Sequence, residues 1–137
     1  MVKLNLQVIL GSPIDIELLL NSSFLEETPS RQATKLYVLD AWFTNDRRLL
    51  SRLSENASFE VIPSALLIDF DILSDEKLSF LAAKAIFEKL PMSWFLTGLA
   101  AYLYELPIAT MHYKLYSAWK LVNVKVLDIK ELIKRLT

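Results

Sequence analysis

Ser93-Trp94-Phe95-Leu96-Thr97-Gly98-Leu99-Ala100-Ala101-Tyr102-Leu103-Tyr104-Glu105-Leu106-Pro107-Ile108-Ala109-Thr110-Met111-His112 decides how the chain is read. Its first part is apolar nearly all round, the composition of a helix sunk in a core or pressed into an interface. Pro107 marks a tight turn, and Ile108-Ala109 then reads as a short buried strand ending on the polar residues Thr110 and His112. A helix feeding a short apolar strand is half of a parallel α/β unit. Ligands in such folds sit outside the carboxyl ends of the strands. Thr110 and His112, the only histidine in the chain, therefore stand where chemistry is expected.

Upstream, the same alternation repeats. Residues 4–10 read as a central strand closed by Gly11. Ser12-Pro13-Ile14-Asp15 is a strong helix start: a capping serine, a proline at the first helical position and an acid facing the dipole. Ile14, Leu18 and Leu19 give that helix its apolar stripe. Thr28-Pro29-Ser30 opens a short second helix, Leu36-Tyr37-Val38-Leu39 forms a second strand, and a helix follows from about Phe43 to Leu53. Residues 59–69 are ambiguous, with a helix favoured from about 62, and Phe70-Asp71-Ile72-Leu73 reads as a third strand. A helix capped at Ser74-Asp75 runs to about Lys89 with Leu78, Leu81, Ala82, Ala85 and Ile86 inward. Downstream of His112 come a helix to about Trp119, a strand at Val124–Leu127 and a terminal helix over 128–136.

Strands alternating with helices predict a three-layer α/β/α sandwich around a central parallel sheet of four to five short strands. At 137 residues the chain is expected to form one domain, 1–137, with no internal repeat and no linker. The apolar content of 53% and mean hydropathy of +0.33 suit strands buried on both faces, and equally an additional apolar interface. No apolar run approaches the roughly 18 residues of a membrane span, and no signal peptide is read at the start. Zero cysteines exclude disulfides and thiolate metal sites and point to the cytoplasm. A net charge of −1 argues against strong non-specific binding of nucleic acid, and two glycines exclude a glycine-rich phosphate loop. Arg47, Arg48 and Arg52 still form a local basic cluster able to contact phosphates, although such a face is more often simply solvated.

The order and size of these elements, together with five pieces of sequence, resemble the PIN domains, specifically the VapC-type ribonuclease toxins of prokaryotes. The pieces are Leu81-Ala82-Ala83-Lys84-Ala85, Trp94-Phe95-Leu96 through Ala101, Glu105-Leu106-Pro107, Ile108-Ala109-Thr110-Met111-His112 with Lys114-Leu115, and Val124-Lys125-Val126-Leu127. The resemblance covers essentially the whole chain and is one of pattern. It implies RNA cleavage with Mg or Mn held by about four carboxylates, because hard cations take oxygen ligands and activate water for in-line attack.

Carried over position by position, the resemblance implies a site without its acids. The first acid falls on Gly11, followed by Ser12; the second falls near Asn45; the third on Trp94 or Ser93; the fourth, from a Thr-x-Asp pattern, on His112 after Thr110. The expectation is a degenerate relative with no metal and no catalytic residues, acting as an interaction module. The resemblance adds a homodimer and a small antitoxin-like protein partner, with no membrane association. The rival expectation is a divergent Mg- or Mn-dependent ribonuclease using relocated acids Asp15, Asp40 and Asp46, with His112 beside them. A third is an RNA-binding protein that grips through Arg47, Arg48 and Arg52 without cutting. Asp15 is more simply a first-turn helix acid, Asp40 a cap or turn residue and Asp46 part of a solvated face. Trp94 is more simply a packing residue than a base-stacking surface. Trp42, Phe43, Phe80, Phe87 and Trp119 are expected in the core or an interface.

Overall fold

The computed structural model describes residues 7–21, 35–43, 46–55, 59–67, 71 and 74–136. Its centre is an all-parallel five-stranded sheet of β1 (Gln7–Leu10), β2 (Lys35–Leu39), β3 (Phe59–Ile62), β4 (Ile108–Thr110) and β5 (Val126–Asp128). The strand order is β3-β2-β1-β4-β5. The chain steps outward from β1 through β2 to β3, then returns to the other side of β1 for β4 and β5. The reversal therefore lies between β1 and β4, where Ile9 pairs with Ile108 and Leu10 with Ala109.

Period-two alternation sends side chains of each strand to opposite faces. Ile9, Leu39, Ile62 and Ile108 enter one core, with α3 (Glu76–Phe87), α4 (Met92–Leu103) and the 3-10 helix Ser117–Val122 packed over them. Val8, Leu10, Leu36, Val38 and Ala109 enter the other, under α1 (Pro13–Asn21), α2 (Arg47–Glu55) and α6 (Ile129–Leu136). The three-layer sandwich and its parallel sheet are as the alternating elements predicted. No helix among the described residues is long and apolar enough to cross a membrane.

Helix α4 is sunk as its composition foretold: from Ser93 to Ala101 every residue but Leu96 is buried. Gly98 makes this depth possible. A Cβ there would stand 1.7 Å from the Trp119 ring, so the helix can cross the indole only without a side chain at that position. Trp119 in turn packs against Trp94 and Phe95, with ring centroids 5.4 and 5.5 Å away.

Several elements differ from the sequence reading. The third strand is Phe59–Ile62, paired from Leu36↔Phe59 to Leu39↔Ile62. It is an edge strand, so Glu60 can sit exposed and meet Lys35 at 3.3 Å while Phe59 and Ile62 are buried. Of the strand expected at 70–73, Asp71 belongs to no strand or helix, and Phe70, Ile72 and Leu73 lie outside the described residues, as does the helix expected after Thr28. The helix expected from Phe43 begins at Arg47. Phe43 closes a 3-10 turn, Asp40–Phe43, and a buried Phe43 leaves Asp46 to accept from the Leu49 amide at 3.1 Å as the cap. In α1 the buried positions are Asp15, Ile16 and Leu19, and Ile14 faces water. In α3 the cap is Asp75, accepting from Lys77 and Leu78, and Ile86 points out rather than in. Asp75 fixes the helix so that Leu78, Leu81 and Ala85 form its inner face. The helix after His112 is one α-turn, α5 (Tyr113–Tyr116), continued as the 3-10 segment and stopped by Asn123 in the left-handed region at φ 65°.

Candidate functional site

The carboxyl ends of β1 and β4 form the switch point of the sheet, the place where open α/β folds bind ligands. Gly11 and Ser12 follow β1; Met111 and His112 follow β4. Gly11 holds its place through its own amide, which donates to the Ala109 carbonyl at 3.2 Å. Above it the space is taken. A Cβ on Gly11 would lie 2.7 Å from Thr110 Cβ, 2.8 Å from Thr110 Oγ1 and 3.1 Å from the Tyr116 ring.

Tyr116 is the plug. It is buried, and its hydroxyl donates to the Gly11 carbonyl at 2.5 Å. The Thr97 hydroxyl faces the same phenol oxygen, and Trp42 Nε1 donates to Thr97 Oγ1 at 2.7 Å. Burial and the neighbouring Asp15 charge push the Tyr116 phenol far above its ordinary range, against the opposing Thr97 contact. The phenol therefore stays protonated and serves as a fixed donor. Trp94 lies against it, with ring centroids 6.1 Å apart, and is pinned by Nε1 donating to the Leu115 carbonyl at 3.1 Å. A chain of donors thus runs from α4 and the β2 exit to the end of β1.

Asp15 stands beside the ends of β1 and β4, and it is fully buried. Its carboxylate accepts from the Met111 amide at 2.7 Å and from Ser12 Oγ at 3.0 Å, with the Thr110 hydroxyl also facing it. Burial raises its pKa above the ordinary carboxyl value. The Met111, Thr110 and Ser12 donors and the His112 charge pull the other way. Its oxygens thus accept from the protein's own donors.

The remaining candidates stand elsewhere. Asp40 accepts from the Ser64 amide at 2.9 Å and so caps the 3-10 helix Ser64–Leu67. Asp46 caps α2, and Arg47 and Arg48 are exposed in its first turn. Arg52 belongs to α2, but its side chain is outside the described residues, as is Asn45 altogether. Ser93 opens α4 beside Trp94 and is buried. His112 is exposed just before α5, its amide donating to Thr110 Oγ1 at 3.0 Å. The structure therefore gathers Gly11, Ser12, Asp15, Trp94, Thr110 and His112 at one end of the sheet, and leaves Asp40 and Asp46 at caps.

Tyr116 and Thr97 carry no site signal in the sequence, and Trp42 reads there only as a core or interface aromatic, which its packing against both cores matches. A tyrosine one turn after His112 carries no signal until the β1–β4 pairing brings Gly11 beneath it.

A divalent cation needs several oxygen donors around one point. Among the described residues no group of three or more histidine, cysteine, aspartate or glutamate side chains is placed to hold one. The Asp15 carboxylate is already engaged by the Met111 amide and the Ser12 hydroxyl. No protein-family model matches the chain, and no curated protein matches its sequence.

Proposed function

We propose that this chain is a PIN-like, VapC-type relative that has lost metal-dependent nuclease chemistry and serves as a non-catalytic interaction module. The observation that carries the reading is the closed switch point: Thr110 and Tyr116 occupy the room above Gly11, and the buried acid there, Asp15, is spent on Met111 and Ser12. Further support comes from where the aligned positions fall. Gly11, Trp94, Thr110 and His112 come from separate parts of the sequence, yet contacts through Tyr116 and Thr110 link them at one end of the sheet. A carboxylate cluster repels itself without its metal, so losing it stabilises a scaffold that no longer needs the ion. The protein partner would then be bound by surface, not by the switch point.

The test is RNA cleavage by the full chain with manganese, alongside thermal melting with and without the ion. The expected result is intact RNA and an unmoved melting temperature. Manganese-dependent cleavage that disappears in Asp15→Asn would establish the divergent ribonuclease instead.

A further inference from the structure

We propose that the outer face of α3 and the α3–α4 corner seat the chain on an anionic lipid surface, with Phe80, Ile86, Phe87 and Met92 entering the acyl boundary and lysines meeting the headgroups. The inference goes beyond the interaction-module reading and does not depend on it.

Helix α3 is apolar on two faces. Leu78, Leu81 and Ala85 are turned to the core. On the side away from them, Phe80, Ala83 and Phe87 stand at i, i+3 and i+7, one stripe of the helix. All three are exposed, Phe87 by 88% and Phe80 by 61%. At the corner that follows, Ile86 is 79% exposed and Met92 70%. These two also line an apolar recess of about 190 Å³ with Ala82, Ala85, Leu90 and Phe95. The two phenylalanines alone leave about 300 Å² of apolar surface in water. A contiguous patch of this order marks a protein or membrane contact.

Charge selects the lipid surface. Lys77 and Lys84 lie along one edge of the outer stripe, and Lys84 is paired with Glu88. Lys89 stands at the corner with φ 55°, where glycine is the unstrained choice, so the turn carries a cation. Lys114 lines a shallow pocket with Lys84, Glu88 and Leu90, which brings it beside the same corner. Among the described residues neither Lys89 nor Lys114 forms an ion pair. Glu76 stands in the first turn of α3, at the far end from the corner. The corner therefore carries excess positive charge although the whole chain is at −1. A two-fold contact with a second copy would bring these lysines toward their own counterparts, whereas an anionic surface neutralises them.

Phenylalanines flanked by lysines on an exposed helix face are the composition of a helix that lies in the membrane interface. Lysine stems let the ammonium groups stay at headgroup level while the rings sink deeper. The backbone of the corner is already bonded: the Glu88 amide donates to the Lys84 carbonyl and the Leu90 amide to the Ala85 carbonyl, both at 2.9 Å. These groups can enter a drier layer without losing partners. The contact is peripheral, since no helix among the described residues is long and apolar enough to cross a bilayer. It departs from the absence of membrane association that the resemblance implies.

Flotation of the full chain with vesicles tests this. The wild type is expected to bind vesicles of equal parts phosphatidylcholine and phosphatidylglycerol, to bind pure phosphatidylcholine more weakly, and to release as salt is raised. Phe87→Ser should weaken binding about tenfold or more, the effect of no longer burying that ring. Lys89→Gln and Lys114→Gln should each weaken binding to the mixed vesicles about fivefold, the effect of one lysine near an anionic surface. Ile14→Ser, exposed on the opposite layer, should bind like wild type. Circular dichroism of every variant should match wild type, because these side chains face water. Phe87→Trp should keep binding, and its added emission should shift to the blue on the mixed vesicles. A wild type that stays off the mixed vesicles overturns the proposal, as does binding unchanged by Phe87→Ser or an unmoved Phe87→Trp emission on bound vesicles. A stable dimer that Phe87→Ser splits also overturns it, because a second copy then covers the face. None of these results touches the closed switch point, which fails only if the chain cleaves RNA with manganese.

Discussion

Asp15 and Met111 are 96 residues apart in the chain and joined by a 2.7 Å hydrogen bond, carboxylate to backbone amide. This contact fastens the first turn of α1 to the exit of β4. It also explains how an acid can sit fully buried: Met111, Ser12 and Thr110 present donors to it from two separate segments. Asp15→Ala leaves the Met111 amide and the Ser12 hydroxyl without their acceptor. Unsatisfied buried donors cost about 1–3 kcal/mol each, so the variant is expected to lose roughly 2–4 kcal/mol in urea unfolding. A loss below about 1 kcal/mol would mean the carboxylate does not hold the switch point together.

The same residue sets a pH dependence of definite sign. Burial outweighs the donors and raises the Asp15 carboxyl above its ordinary value of 3.8, so the folded state holds the proton more tightly than the unfolded one. Its contribution to stability is present in full below 3.8, where both states are protonated. It is lost as pH rises through the folded value. Asp15→Asn has no proton to lose. The stability of wild type relative to Asp15→Asn should therefore fall from acid to neutral pH, as measured by paired urea titrations. A difference that grows with pH would show that Met111 and Ser12 outweigh burial.

The sheet was legible because buried parallel strands are short apolar runs, and Val8-Ile9-Leu10 and Ile108-Ala109 have no other plausible use. The depth of α4 was legible for the same reason: nothing polar interrupts it. Phe59–Ile62 was hidden by Glu60 and Pro63, which are acceptable at a sheet edge but obscure the pattern of a strand. In α3 the apolar residues outnumber the positions of one face, so Ile86 passed for core. Only packing reveals that Leu78, Leu81 and Ala85 suffice. Asp15 reads as an ordinary first-turn acid because its partner, Met111, lies 96 residues away, just past the end of β4. Local sequence carries helix and strand preference; it does not carry the pairing of β1 with β4 that creates the site.

Trp94 and Trp119 are both fully buried, yet they should respond differently to phenylalanine. Trp94 Nε1 is bonded to the Leu115 carbonyl, whereas Trp119 Nε1 has no hydrogen-bond partner among the described residues. Each change to Phe removes similar volume. Trp94→Phe also strands an acceptor, and Trp119→Phe removes an unpaired donor. Trp94→Phe is therefore expected to be more destabilising by about 1–3 kcal/mol, read from melting of the two variants side by side. Equal losses would place the indole bond of Trp94 at no net value.

Gly98→Ala decides between helix propensity and packing. Alanine gains about 1 kcal/mol over glycine in a helix interior. Against this, its methyl would lie 1.7 Å from one Trp119 ring atom and 2.2 Å from two more, in a core where both Trp94 and Phe95 back the indole. Overpacking of this kind costs about 1–3 kcal/mol or more. The clash should win, with a net loss of roughly 2 kcal/mol in the wild-type background. In a Trp119→Leu background the ring is gone, and the same Gly98→Ala change should become neutral or stabilising as propensity prevails. Comparing the four proteins by chemical unfolding gives the coupling between the two sites directly. Additive effects, with Gly98→Ala equally harmful in both backgrounds, would mean that some neighbour other than Trp119 forbids a side chain at the centre of α4.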